Sequence, residues 1–271
     1  MGSILNQIEI SGKALMSGED CNVTILPSQT KGIKFFVQNA KEPVIASAES
    51  VVSTQNCVVL ANQFGQIRLV EHFLAACAFC GIDSLDVCVS NIEMPIFDGS
   101  AKKWVELFSE AGFERTFCGI SIDKPISYVN GDTVIAILPS DELKVTYLLD
   151  FNHPDLKQKW VETKFDNTEE IIEARTFGYL KDLEKFQQMG LAKGVSFDNT
   201  LGLTDDGYTS ELRSELEPIK HKILDLTGDL KLAGINLPDL KATIIAKQAG
   251  HSSHVEIAKI LNKELLIGEL K

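Results

Sequence analysis

The sequence holds only five histidines: His72, His153, His221, His251 and His254. His221 and Asp225 stand four apart in His221-Lys-Ile-Leu-Asp225. On a helix that spacing puts an imidazole and a carboxylate on one face, Cβ atoms about 5–6 Å apart, which suits two ligands of one metal ion. A helix-surface hydrogen bond between the two is the commoner use of the same spacing. Glu71-His72 opens another helical pattern. Adjacent residues cannot face one point squarely, but they can supply one ligand and one base flanking the same ion. A solvated surface pair at a helix start is the plainer reading. Gly250-His251 lies between a strand pattern and a helix pattern, where functional loops gather. His254 follows one turn later, at a position that suits the surface. His153, in Asp150-Phe-Asn-His-Pro154, precedes a proline and is expected in an extended turn.

The six cysteines are Cys21, Cys57, Cys77, Cys80, Cys88 and Cys118. Cys77 and Cys80 form a C-x-x-C, a spacing used for zinc or redox chemistry. No second C-x-x-C completes a structural zinc site, and the pair lies in an apolar helical run, so buried helix cysteines are expected.

The elements that must position these residues follow from periodicity. Cys21 to Leu26 and Gly32 to Val37 read as strands. A helix is predicted from about Leu69 to Cys80, ended by Gly81. Leu85 to Val89 alternates, a loop spans Met94 to Ser100, and a second helix runs from about Lys102 to Glu110, stopped at Ala111-Gly112. In the second half, Ile126 to Val129 and Thr133 to Leu138 flank Asn130-Gly131, a type I′ hairpin signal. Leu143 to Asp150 is another strand. A polar stretch, Lys157 to Glu173, leads into a glycine-punctuated segment, Arg175 to Asn199. A long helix is predicted over Pro218 to Leu232, a strand over Lys241 to Ala246 and a closing helix over Ser253 to Asn262. Both halves therefore read as strands, helix, strand, helix. An α+β fold is expected, with two similar domains, residues 1–120 and 121–271, and a boundary near Phe117 to Pro125. Each is a β-sheet layered with helices, packed helix layer to helix layer with the active site between them.

The chain has 271 residues, ample for a core, and 26 basic against 38 acidic side chains give a net charge of −12. That balance argues against nucleic-acid binding, since phosphate neutralisation supplies most of such affinity. An anionic substrate must be captured by a local basic pocket. No segment reaches the roughly 20 apolar residues of a spanning helix, and no signal-peptide pattern opens the sequence. Asn6 breaks the myristoylation pattern that Met1-Gly2-Ser3 begins. A soluble, cytoplasmic protein with at most peripheral membrane contact is expected. Oligomeric state is not legible.

Val70-Glu-His-Phe-Leu, Met94-Pro-Ile-Phe-Asp-Gly-Ser-Ala, Asp150-Phe-Asn-His-Pro, Ala174-Arg-Thr-Phe-Gly, Gly190-Leu-Ala-Lys-Gly, His221-Lys-Ile-Leu-Asp-Leu-Thr-Gly-Asp-Leu and Gly250-His251 occur in that order. Together, over nearly the whole chain, they resemble the UDP-3-O-acyl-N-acetylglucosamine deacetylases, zinc-dependent hydrolases of lipid A synthesis. The resemblance implies a small-molecule substrate, an acylated UDP-amino sugar from which acetate is released. It implies His72, His221 and Asp225 as ligands of Zn2+, with Fe2+ acceptable to the same donors. It makes Glu71 the general base, His251 the opposing general acid or oxyanion stabiliser, and Asp229 the carboxylate that orients His251. Thr176 would help polarise the acetyl carbonyl. Lys222, Phe177 and Leu15 would bind substrate, and an insert near residues 170–201 would form an apolar passage for the acyl chain.

The chemistry is self-consistent. Three protein ligands leave zinc one open position, where the pKa of water falls to about 7. Three positions depart from the family pattern. Ala14-Leu-Met-Ser-Gly18 puts Met16 where a histidine is usual, Val195 stands in place of a glycine, and Lys220 replaces an arginine. Val195 would be strained if that position needs a positive φ. Met16 and Val195 motivate an alternative, a divergent paralogue acting on another acylated or nucleotide-linked amino sugar. A non-catalytic nucleotide-sugar binding module is a third reading, opposed by the retained Glu71, His72, His221, Asp225 and His251.

Overall fold

The computed structural model describes residues 2–115 and 119–269. Cys118 and the part of the expected boundary at Phe117 lie outside the described residues.

Alternating burial builds the first sheet. In the strand Asp20–Pro27, Cys21, Val23 and Ile25 point inward. Its neighbours follow the order Ile8–Lys13, Asp20–Pro27, Ser84–Val89, Gly32–Val37, Val44–Ile45. Ser84–Val89 runs parallel to Gly32–Val37 and antiparallel to Asp20–Pro27. A three-stranded sheet, Val51–Ser53, Val59–Asn62 and Gly65–Arg68, then leads into helix α1, Glu71–Cys80. Helix α2 is Lys102–Ala111. α1 is buried on nearly every side, as a helix between packed layers must be. Its Phe73 meets Phe35 of the sheet at 5.8 Å and Trp104 of α2 at 5.1 Å.

The second sheet has the order Ile126–Asn130, Thr133–Pro139, Leu240–Lys247, Lys144–Leu149, Lys159–Thr163, with Ile120–Ser121 added alongside the start of Leu240–Lys247. Helices α3 (Glu169–Ile172) and α4 (Leu180–Gln188) precede α5 (Glu217–Lys231), and α6 (His251–Glu269) closes the described chain. α1 packs along α5, and α5 against α6. One apolar core runs through both sheets and these helices. The fold is α+β. No helix among the described residues is long and apolar enough to cross a membrane.

Several local expectations change. The hairpin pairs Asn130 with Thr133, so its two-residue loop is Gly131-Asp132. Only Gly131 has a positive φ, 58°, the pattern of a II′ rather than a I′ turn. The polar stretch after Lys157 contains an edge strand, Lys159–Thr163, whose charged residues suit an edge. α1 starts at Glu71 rather than Leu69, because Leu69 is left-handed (φ 61°). α6 starts at His251, two residues before the predicted point. Cys77 and Cys80 are buried helix thiols, and burial pushes Cys80 up to about 12. Val195 has no positive φ among the described residues, so the anticipated strain is absent.

The α1–α5 contact has no slack. A Cβ on Gly228 would stand 2.0 Å from the Glu71 carbonyl oxygen and 3.1 Å from the Ala75 nitrogen. Both are backbone atoms, so the helices themselves would have to separate. Gly228→Ala is expected to lower unfolding stability by about 3 kcal/mol, despite alanine's better helix propensity. Urea denaturation measures this, and an unchanged or raised midpoint would show that the crossing has room.

Candidate metal centre and active site

Three helices deliver the polar side chains. The first turn of α1 gives Glu71 and His72; α5 gives His221, Asp225 and Asp229 along one face; the first turn of α6 gives His251 and His254. A non-glycine residue of positive φ precedes each helix: Leu69 (61°), Leu216 (55°) and Gln248 (47°). Each costs roughly 1–2 kcal/mol. The left-handed residue turns the chain just before the helix starts, at Glu71, Glu217 and His251 respectively.

His72, His221 and Asp225 are all buried, and one potential ligand atom from each lies within 4.8 Å of the others. His221 Nδ1 is 2.9 Å from the Ala174 carbonyl oxygen, which can only accept, so the proton sits on Nδ1 and Nε2 keeps its lone pair. That lone pair faces Asp225 Oδ1 at 3.3 Å, and His72 Nε2 is 3.9 Å from the same oxygen. Among the described residues, Oδ1 is buried without a hydrogen-bond partner. A His221 lone pair turned to a buried carboxylate oxygen, with His72 beside it, has the electrostatics of a cation site. Burial pushes the His72 imidazole down to about 3, helped by His221, and also lowers His221. Burial opposes the Asp225 charge, but the cations Lys222 and His251 outweigh it and hold the carboxyl well below its ordinary range. Two neutral imidazoles and one carboxylate are the protonation states that ligation requires. Lys222 Nζ holds the other oxygen, Oδ2, at 2.8 Å.

Glu71 and His251 face each other across this cluster. Glu71 Oε2 accepts from the Val58 N–H at 3.2 Å, which ties it to the residue just before the strand Val59–Asn62. Glu71 Oε1 is 3.9 Å from His251 Nε2, which is 4.0 Å from Asp225 Oδ2. Burial pushes Glu71 up to about 7, with His251 pulling the other way and Asp229 and Asp225 adding to the rise. Burial works against a charged His251, but Asp229 and Asp225 outweigh it and bring the imidazole up to about 10. Its Nδ1 is 2.7 Å from Asp229 Oδ2.

A cavity of about 400 Å³ joins these groups. Glu71, His72, His221, Asp225, His251, Thr176, Phe177, Lys222 and Leu15 all line it; Asp229 lies behind His251, outside the lining. The Thr176 N–H donates to the Gly99 carbonyl at 2.7 Å, which ties it to the Asp98-Gly99-Ser100 turn. Lys222 Nζ sits 5.5 Å from the Phe177 ring centre. Leu180, Leu183 and Phe186 of α4 line the same space, although no residue of α4 is buried. Met16 and Val195 pack together on Leu15, Leu69 and Ile96, so that wall is apolar. His153 is buried elsewhere, its Nε2 2.9 Å from the Gly207 carbonyl.

Sequence reasoning missed three contributors. The Ala174 carbonyl and the Val58 N–H are backbone groups and leave no trace in residue type. His254, expected at the surface, is fully buried against Asp229. The i, i+3 spacing from His251 was the available signal.

The chain matches the UDP-3-O-acyl N-acetylglycosamine deacetylase family over residues 2–263. It is 37% identical to a protein of Leptospira biflexa serovar Patoc (strain Patoc 1 / Ames), covering 99% of this chain and 91% of that one. It is 35% identical to a protein of Nostoc sp. (strain PCC 7120), covering 95% and 96%. It is 33% identical to one of Geotalea uraniireducens (strain Rf4), covering 96% and 88%. Each of the three is named UDP-3-O-acyl-N-acetylglucosamine deacetylase.

The geometry of the candidate ligands depends on an ion pair outside the cavity. Arg175 Nε and the Arg175 backbone N–H both donate to Glu217 Oε1 at 2.9 Å, and Nη2 donates to Oε2 at 3.0 Å. Arg175 Nη2 also donates to the Glu211 carbonyl, and the Arg213 N–H donates to Oε2 at 2.8 Å. Glu217 is the first residue of α5, so the pair clamps the Ala174–Thr176 segment to the helix that carries His221. Burial opposes the Glu217 charge, but hydrogen bonds from the Arg175 side chain and the two N–H groups prevail and depress its pKa. A depressed carboxyl contributes stability above its unfolded pKa, and that contribution is lost as pH falls through the folded value. Glu217→Gln is therefore expected to cost about 3 kcal/mol at neutral pH. The gap to the unaltered protein should narrow below pH 4.5, the ordinary carboxyl value. Denaturant unfolding across pH measures it; a gap independent of pH would show that the ionised carboxylate is not its source.

Proposed function

Because the chain belongs to the UDP-3-O-acyl N-acetylglycosamine deacetylase family, we propose that it hydrolyses the N-acetyl group of UDP-3-O-acyl-N-acetylglucosamine, releasing acetate, as a zinc-dependent cytoplasmic enzyme of lipid A synthesis. The observation that carries this reading is the His221 Nε2–Asp225 Oδ1 approach of 3.3 Å with no donor between them, set beside the facing pair Glu71 and His251. Residues 1–120 and 121–271 serve as its two α+β domains.

His72, His221 and Asp225 would hold the ion, zinc or ferrous iron, since neutral imidazoles and a carboxylate accept either. When bound, the ion supplies Lewis acidity that polarises the acetyl carbonyl and acidifies water. Glu71 removes the proton of the attacking water; a buried carboxyl of raised pKa is suited to take and return a proton near neutrality. Val58 fixes one oxygen of Glu71, so the other is free to work. His251, held cationic by Asp229, stabilises the developing oxyanion and donates a proton to the departing amine. Thr176, on the same cavity wall, adds a hydrogen bond to the carbonyl oxygen. Lys222 gives the UDP group a local cation despite the net charge of −12. Leu180, Leu183 and Phe186 turn apolar side chains to the cavity rather than to the core, which suits an acyl chain. Met16 and Val195 make one wall more apolar than the family pattern and support the second reading, a paralogue for another acylated amino sugar.

Mass spectrometry of the purified protein with acylated UDP-N-acetylglucosamine should show loss of one acetyl group, abolished by a chelator and restored by zinc. Inert metal-loaded protein would shift the reading to the paralogue. Glu71→Ala should retain zinc and lose about 10²–10⁴ in kcat; loss of the metal instead would make Glu71 a ligand. Each CH₂ removed from the acyl chain should weaken kcat/KM by up to about fourfold, following about 0.8 kcal/mol per buried CH₂. Indifference to chain length would remove α4 from the binding site.

A further inference from the structure

Behind His251 lies a polar chain of which the reaction described above uses only Asp229. Asp229 Oδ2 accepts from two imidazoles at once, His251 Nδ1 at 2.7 Å and His254 Nδ1 at 2.8 Å. Asp229 Oδ1 is buried without a hydrogen-bond partner among the described residues. On the far side, His254 Nε2 is 2.9 Å from the Tyr147 hydroxyl, which is 2.8 Å from the Ala249 carbonyl oxygen. His254, Tyr147 and Asp229 are all fully buried. The chain thus crosses from the strand Lys144–Leu149 through α6 to α5 and ends on the imidazole that faces Glu71.

A carboxylate given two donors would ordinarily spread them over its two oxygens. Here both donors converge on Oδ2 while Oδ1 goes without, so something outside the carboxylate fixes its rotation. Tyr147 does so by holding the far nitrogen of His254, which leaves Nδ1 one direction in which to donate. Asp229, His251 and His254 also have the composition of a cation site. Their closest spacings, 2.7 and 2.8 Å, are hydrogen-bond lengths and leave no space for an ion between them.

We propose that His254, anchored by Tyr147, is a positioning residue for His251: it locks the rotation of the Asp229 carboxylate and thereby aims His251 Nε2 into the reaction centre. The proposal rests on the deacetylase reading for its kinetic test but not for its structural one. Outer partners of this kind commonly change activity by 10–100-fold when removed, although they touch no substrate.

Amide side chains separate the two ends of His254. The amide of His254→Asn takes the place of Nδ1 and can still bond Asp229; that of His254→Gln takes the place of Nε2 and reaches only Tyr147. His254→Asn should keep kcat within about threefold, whereas His254→Gln should lose about 10–100-fold in kcat, with KM and zinc content unchanged. Tyr147→Phe, which removes one oxygen and preserves the packing, should fall between them. Proton NMR supplies a readout independent of substrate: the His251 Nδ1–H resonance should persist in the Asn variant and vanish by exchange in the Gln variant. A Gln variant with normal kcat and a persistent His251 resonance overturns the proposal. So do Asn and Gln variants that lose kcat equally and in step with their melting temperatures, which would make His254 a packing residue. If the unaltered protein fails to deacetylate the substrate, the activity reading falls, while the His251 resonance still decides the positioning role.

Discussion

A helix crossing with no room for a methyl group sets the geometry of everything that follows. Gly228 brings α5 against the backbone of Glu71 and Ala75. At that distance His72 from one helix and His221 and Asp225 from the other share a single point. A larger residue at the crossing would spread the candidate ligands as it spread the helices. The all-round burial of α1 follows from the same contact, since a helix held against α5 on one side and a sheet on the other has almost no solvent face.

The crossing places charge where charge is costly, and the rest of the site offsets that cost. Glu71, Asp225 and Asp229 are buried carboxylates within one small volume. Lys222 and His251 supply compensating cations, and Asp229 spends one oxygen on two imidazoles. Asp225 Oδ1 remains without a hydrogen-bond partner among the described residues, a need that a resident cation would satisfy. The left-handed residues Leu69, Leu216 and Gln248 are the backbone counterpart of this strain, placed one to three residues before the helices that carry the candidate site side chains.

The sequence made much of this legible. Ordered motifs spread over the chain pointed to residues that the fold brings to one cavity, and periodicity located α1, α5 and most strands, because both signals are carried by side-chain type. The bond between His221 and the Ala174 carbonyl was invisible, since a carbonyl looks the same in every residue. The edge strand Lys159–Thr163 was hidden because an exposed edge has no apolar alternation to read. His254 was misplaced at the surface because only the tertiary fold brings Tyr147 to its far side. Met16 and Val195 were visible as departures, but only the structure shows them packed together as one apolar wall.

The central claim is that the α1–α5 crossing builds a three-ligand metal centre flanked by a base and an acid that do not themselves bind the ion. Anomalous diffraction at the zinc edge from zinc-loaded crystals tests it most directly. The account predicts one ion at about 2.0–2.2 Å from His72 Nε2, His221 Nε2 and Asp225 Oδ1, with Glu71 and His251 beyond bonding distance. An ion bonded to Glu71, or held instead by Asp229, His251 and His254, would contradict it.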